Sequence, residues 1–190
     1  MKAIILCAGK GVRMGSLTAK TPKPLLKVNG KPIIDYVLGS LPNEIDEVII
    51  VIKYLGKQIK KYIGHEYNGK KVSYVTGSDK GNAYSFLATK TLLDNERFLV
   101  VYGDEIPSSV NVKRCLAEDL SVLTFNFGVK DGVMVLNTDI FIHKLRDENF
   151  ASMVDLFIKT HKVVFVEAVD FIGEINTPEA LKKVERSCNT

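Results

Sequence analysis

Tryptophan is absent from this 190-residue chain, and cysteine, histidine and proline are scarce, with three, three and six residues. Cys7, Cys115 and Cys188 are odd in number and widely spaced. They form no Cys-x-x-Cys pair and no Cys/His cluster, so neither a disulfide framework nor a zinc site is indicated, and a reducing, cytoplasmic setting fits. His65, His143 and His161 are equally scattered, and all three read as structural or surface residues. No apolar stretch approaches the length that spans a membrane. The apolar start, residues 1–8, is broken by Gly9, Lys10 and Gly11, so it reads as a first buried strand and not as a signal peptide. A strong charge of one sign is lacking too, since Lys and Arg exceed Asp and Glu by only four. That surplus points to no nucleic-acid partner and is compatible with a polyanionic small substrate.

What is present is an ordinary globular composition, 46% hydrophobic and 25% charged. The length suits one domain, taken as residues 1–190, with no linker or repeat to divide it. Strand-like and helix-like runs alternate. Strands are expected at 3–7 (AIILC), 47–52 (EVIIVI), 72–76, 97–102 (RFLVVY), 121–127, 132–136 and 163–166. Helices are expected at 32–41, 55–63, 82–93, 110–118, 149–159 and 178–186, the last with Thr177 as N-cap. This alternation predicts an α/β fold with a mostly parallel sheet. Ligands of such folds gather at the carboxyl ends of the strands. Two segments fall there, the glycine loop after the first strand and Gly103-Asp104 after a later one.

The loop reads Leu6-Cys7-Ala8-Gly9-Lys10-Gly11-Val12-Arg13-Met14. Glycines let a backbone approach phosphates closely, with exposed N–H groups to cradle them. The dinucleotide fingerprint G-x-G-x-x-G fails at Met14, and the Walker pattern is absent. The Gly-x-Gly alone is equally a tight strand-to-loop turn.

The residues that follow extend the pattern: Arg13, Leu17-Thr18, Thr21-Pro22-Lys23-Pro24-Leu25, then Asn29-Gly30-Lys31-Pro32-Ile33. Here the chain resembles the sugar-phosphate nucleotidylyltransferase family, whose opening reads G-x-G-x-R-(L/M)-x-x-L-T, then P-K-P-L, then G-x-P-(I/L). All three parts occur in order, with Met14 for leucine and Gly15-Ser16 for proline as departures. The resemblance implies a Rossmann-like, doubly wound nucleotide-diphospho-sugar transferase fold with helices on both faces. It also implies an NTP and a phosphorylated small molecule as substrates, a sugar 1-phosphate being favoured, with Mg²⁺ as cofactor. By the same resemblance, Arg13 holds the departing pyrophosphate with its planar fork, and Lys23 holds the α-phosphate. Leu6, Ala8, Gly9 and Gly11, with Gly81 and Asn82 of Gly81-Asn82-Ala83, contact the nucleotide. Asp104 is implied as the catalytic metal ligand. Glu105, its neighbour, is expected to point elsewhere.

The family's second metal ligand lies in a W-x-D-x-G-T-P-like element. The late segment here is Ile172-Gly173-Glu174-Ile175-Asn176-Thr177-Pro178, which puts Glu174 at the aspartate position and Asn176 at a glycine. Glutamate binds Mg²⁺ but is one methylene longer. Asp131-Gly132-Val133-Met134 resembles the strand that lines the acceptor site, with Gly132 at the sugar; a plain buried strand fits it equally. The family's longer middle segment, with its E-K-P lysine, is missing between Asp104 and Gly132. The acceptor site is then reduced, or completed by groups such as Lys130 or a partner chain. A transferase acting on a small phosphorylated alcohol or amine therefore stays open, as does a nucleotide-binding regulatory module that transfers nothing. The nucleobase and the oligomeric state, a homo-oligomer included, are left open as well.

Overall fold

The computed structural model describes residues 1–94, 96–126, 129–143, 145, 147–170 and 175–187. In chain order its elements are β1 (Lys2–Cys7), β2 (Lys27–Val28), β3 (Lys31–Pro32), α1 (Ile33–Ser40), β4 (Glu47–Ile52), α2 (Gly56–Ile63), β5 (Glu66–Tyr67), β6 (Lys70–Thr76), α3 (Asn82–Leu87), β7 (Phe98–Tyr102), α4 (Ser109–Leu116), β8 (Ser121–Phe125), β9 (Val129–Leu136), α5 (Phe150–Thr160), β10 (Val164–Glu167) and α6 (Pro178–Ser187). Eight strands make one sheet in the order β10-β8-β9-β7-β1-β4-β6-β5. The β1–β4, β1–β7, β4–β6 and β8–β10 pairings are parallel. β9 runs antiparallel to β7 and β8, and β5 to β6. The mostly parallel α/β sheet expected from the alternation is the one found.

Both faces of the sheet are covered, which is why the central strands read as unbroken apolar runs. Ala3, Ile5 and Cys7 of β1 join Val48 and Ile50 of β4 in one buried cluster with α1, α4 and Ile59 of α2. Ile4, Ile49 and Val51 point the other way, into a cluster built on Phe86 of α3 and Phe150, Met153, Val154 and Phe157 of α5. Helices on both faces make the fold doubly wound.

Helix ends follow from local chemistry. Ser108 and Asn149 accept the N–H groups of Val110 and Ala151 at the starts of α4 and α5. Thr177 accepts from Ala180 N at 3.2 Å and caps α6, as expected. α3 stops at Leu87, short of the Leu93 expected. Thr89 explains the stop: its hydroxyl donates to Phe86 O at 2.7 Å, and its N–H bonds the same carbonyl, a side-chain competition that ends the α-helical ladder. β8 ends at Phe125 because Asn126 turns into the left-handed region with φ of 49°; Phe127, where the strand was expected to end, lies outside the described residues. Two short hairpins were not foreseen although both carry their marker. Asn29-Gly30 joins β2 to β3 and Asn68-Gly69 joins β5 to β6, all four residues with positive φ, the pattern of a type I′ turn.

The chain steps from β1 to β4 to β6 on one side of β1, then returns to pair β7 on its other side. The connections reverse at β1/β7, and a crevice opens there beyond the carboxyl ends. No helix among the described residues is long and apolar enough to cross a membrane.

Candidate active site

Two loops meet at that reversal. After β1, Gly11 adopts φ 62° and ψ 39°. A Cβ there would lie 3.1 Å from Thr18 Cγ2 and 3.3 Å from Lys23 Cβ, so glycine is required by conformation and by space. Thr18 Oγ1 donates to Gly11 O at 3.0 Å and closes a turn over residues 12–18. Tyr54 OH, beyond β4, donates to Thr18 O at 2.9 Å and ties this turn to the next strand end. After β7, Gly103 N donates to Leu6 O at 3.0 Å, which extends the strand pairing by one bond. A side chain at Gly103 would overlap the Cys7 sulfur. Cys7 itself is buried, and burial pushes its thiol far up, with the Asp104 carboxylate adding to the shift. A thiol held neutral in this way is no nucleophile.

Lys23 lies between Pro22 and Pro24 at the start of a short 3₁₀ turn. It is 5% exposed. Its Nζ donates to Asp104 Oδ2 at 2.6 Å and to Asn176 Oδ1 at 2.7 Å. Three segments far apart in sequence thus converge on one ammonium. The start of the segment leading into α6 is fastened beside them, since Ile175 is fully buried and its N–H reaches Asp104 O at 3.4 Å.

The crevice is a cavity of about 920 Å³. Of the residues singled out from sequence, Leu6, Ala8, Gly9, Arg13, Gly81, Asn82 and Asp104 line it. Gly11 and Lys23 line an adjoining cavity of about 260 Å³ that shares Arg13, Asp104 and Asn176 with the first. Arg13 is exposed on the wall of both. Asn82 Oδ1 accepts Phe150 N at 2.7 Å, which joins the start of α3 to the start of α5. Gly132 is not in either wall. Its N–H donates to Glu105 Oε2 at 2.9 Å, and its missing side chain leaves room for that carboxylate and the Tyr102 ring. Glu174 lies outside the described residues, as does the side chain of Lys130.

Several wall residues were missed from sequence. Glu105, expected to point away, is buried and faces the larger cavity. The alternation of side chains holds only within a strand. β7 ends at Tyr102, so residues 104 and 105 lie beyond its reach. Lys53 and Asp79 pair at 2.6 Å on the side of β4 and β6. The Lys53 hydrogen bond holds the Asp79 carboxyl below its usual range, with Lys10 contributing. No sequence pattern marks this pair.

Among the described residues no group of three or more His, Cys, Asp or Glu forms a ready metal cluster. The Asp104 and Asn176 oxygens nevertheless converge on one cationic nitrogen. The Asp104 carboxylate, a hard oxygen donor on the wall of both cavities, fits a hard divalent cation that completes its shell with water and phosphate. With Arg13, Lys10, Lys23 and Lys53 around it, the crevice suits a polyphosphate and a cation together.

Comparison with known proteins bears on the family and the fold. The chain is 36% identical over 107 residues to the bifunctional protein GlmU of Methanocaldococcus jannaschii, 56% of this chain and 25% of that protein. It is 35% identical over 121 residues to the CMP-5'-(3-aminopropyl)phosphonate synthase of Streptomyces rubellomurinus, 62% of this chain and 19% of that one. It is 32% identical over 127 residues to the probable glucose-1-phosphate cytidylyltransferase of Bacillus subtilis, covering 55% and 50%. The chain thus spans about half or less of the length of these relatives. A solved UDP-glucose pyrophosphorylase from Acinetobacter baumanii superposes with a TM-score of 0.81 at 13% identity, over 97% of this chain and 91% of that chain, and so shares the fold. The family model described as nucleotidyl transferase matches residues 2–171, and the chain belongs to that family.

Proposed function

We propose that the chain transfers a nucleoside monophosphate from an NTP to a sugar 1-phosphate, releasing pyrophosphate and forming an NDP-sugar. The observation that carries this reading is the junction of Lys23 with Asp104 at the β1/β7 crevice, with Arg13 on the wall. An oxygen of the acceptor phosphate forms a bond to the α-phosphorus, and the bond from that phosphorus to the β-phosphate bridge oxygen breaks. The nucleophile is already an anion, so no general base is needed. The difficulty is to bring two anions together in line, and positioned cations reduce that repulsion.

In this reading the loop at Gly9 and Gly11 lets the triphosphate approach the backbone. Arg13 grips the leaving pyrophosphate bidentately, and Lys23 neutralises the α-phosphate. Leu6, Ala8, Gly81 and Asn82 form the nucleoside side of the cleft. Asp104, with Glu174 as second ligand, would hold Mg²⁺, which neutralises charge on the phosphates when bound. Gly132 belongs to the acceptor side, reached through Glu105. In this reading residues 1–190 form a single nucleotidyltransferase domain, and a cytoplasmic setting is in keeping with its scarce, unclustered cysteines.

A second acceptor class is favoured by one observation, the similarity to a CMP-5'-(3-aminopropyl)phosphonate synthase over 62% of the chain. The test is pyrophosphate release with each NTP and Mg²⁺, hexose 1-phosphates competing at equal concentration with phosphorylated alcohols and amines. Preference for the hexose 1-phosphates is expected. Preference for the second set replaces the acceptor, and no release with any combination leaves a nucleotide-binding module.

A further inference from the structure

Asn176 stands where the resembling family carries a glycine, and its side chain is directed into the site. Thr177 caps α6, so the amide of Asn176 is not needed for the helix. Its Oδ1 instead accepts from Lys23 Nζ at 2.7 Å, and the residue lines both cavities.

A lysine ammonium has three donors. Two are directed here, to Asp104 and Asn176, which among the described residues leaves the third for a ligand. A buried ammonium whose partner is withdrawn carries a desolvation cost. When the Asp104 carboxylate is taken up by a divalent cation, its hold on Lys23 weakens. We propose that Asn176 is a positioning residue that acts through Lys23: an uncharged second acceptor that keeps the ammonium in place once Asp104 turns to a cation. An uncharged acceptor suits this role. It retains the hydrogen bond yet adds no negative charge beside an incoming triphosphate, as an aspartate would.

The inference deepens the transferase reading and rests on it for its kinetic arm; the structural arm does not. In the structural arm, Lys23 acylation by an amine-reactive reagent is followed by peptide mass spectrometry without metal or substrate. Asp104→Ala imitates the withdrawn carboxylate. Lys23 should acylate slowly in Asp104→Ala and about fivefold or more faster in Asp104→Ala/Asn176→Ala, since the last strong acceptor is then gone. Equal rates in the single and double variants would overturn the proposal whether or not the protein proves to be a transferase. Near-ultraviolet circular dichroism of both variants shows that each is folded.

In the kinetic arm, Asn176→Ala should lower kcat about tenfold, from the loss of one hydrogen bond to a charged group, with KM for the NTP changed less than about threefold. Asn176→Asp should restore part of kcat and raise KM for the NTP. A rise in KM alone in Asn176→Ala, or the same response from both variants, overturns the positioning role. Absence of turnover in the unmodified protein overturns the transferase reading and leaves the acylation result to judge Asn176.

Discussion

Gly103→Ala tests whether the contact between β1 and β7 sets the site. The backbone there is not left-handed, so alanine meets no conformational penalty and the effect is steric. A Cβ at residue 103 would overlap Cys7 Sγ and lie 3.0 Å from Leu6 O and 3.3 Å from Ile5 Cγ2. Cys7 and Ile5 are buried at 3% and 0% exposure, so neither can swing out to solvent. Overpacking of this kind costs about 1–3 kcal/mol. Strain on the Gly103 N to Leu6 O bond adds about 1 kcal/mol, giving about 2–4 kcal/mol, roughly 3 kcal/mol at the middle of the range. Cys7→Ala alone leaves a small cavity worth about 1 kcal/mol. Independent effects would bring the double variant to about 4 kcal/mol, but removal of the sulfur makes room for the new methyl. The double variant should therefore lose only about 2 kcal/mol, a coupling of about 2 kcal/mol. Urea unfolding of the four proteins measures it, a shift on the order of 1 M in midpoint separating the additive and coupled outcomes. Turnover should follow the same order, because Asp104 is the next residue. Stability of Gly103→Ala within about 0.5 kcal/mol of the parent, or simple additivity, would refute the reasoning.

Asp104→Asn should keep its near-ultraviolet circular dichroism and lose turnover on the order of a hundredfold or more, since metal affinity and charge stabilisation go together; a near-normal rate at limiting Mg²⁺ removes Asp104 from the metal role. Arg13→Lys should not be conservative, because the planar fork is lost, and a rate equal to the parent's would place Arg13 outside the pyrophosphate site. Lys23→Ala should lower the rate with every acceptor alike, and an effect on one acceptor only would move Lys23 to the other half of the cleft. Burial raises the Cys7 thiol, so folded protein binds that proton more tightly than unfolded chain. The stability this contributes is complete below the unfolded thiol's value of about 8.5 and falls above it, by up to about 1.4 kcal/mol per pH unit. Urea midpoints should therefore drop more steeply above that pH in the parent than in Cys7→Ala, and parallel profiles would show that the thiol does not ionise on unfolding there.

The parts of the fold that were legible beforehand share a physical origin. β1, β4 and β7 lie between two helical layers, so their sequences are apolar almost throughout and their position needs no knowledge of neighbours. Element ends are decided by single competing contacts, such as the Thr89 hydroxyl on Phe86 O, and a periodicity does not carry those. The glycine loop, Arg13, Lys23 and Asp104 were singled out through the resemblance of their motifs to a family, since a lone Gly-x-Gly or a lysine between two prolines carries no such meaning by itself. The spatial relations were not legible. Lys23 reaches Asp104 over 81 positions and Asn176 over 153, distances at which only the strand order decides what is adjacent. The return of the chain to β7, beside β1, is what brings the Asp104 carboxylate to a lysine supplied by the first loop. The same return explains why Asn176 looked like a mere departure from glycine. In sequence it is a substitution in a loop. In the folded chain, Ile175 beside Asp104 fixes that loop where the Asn176 amide oxygen meets the buried Lys23 ammonium.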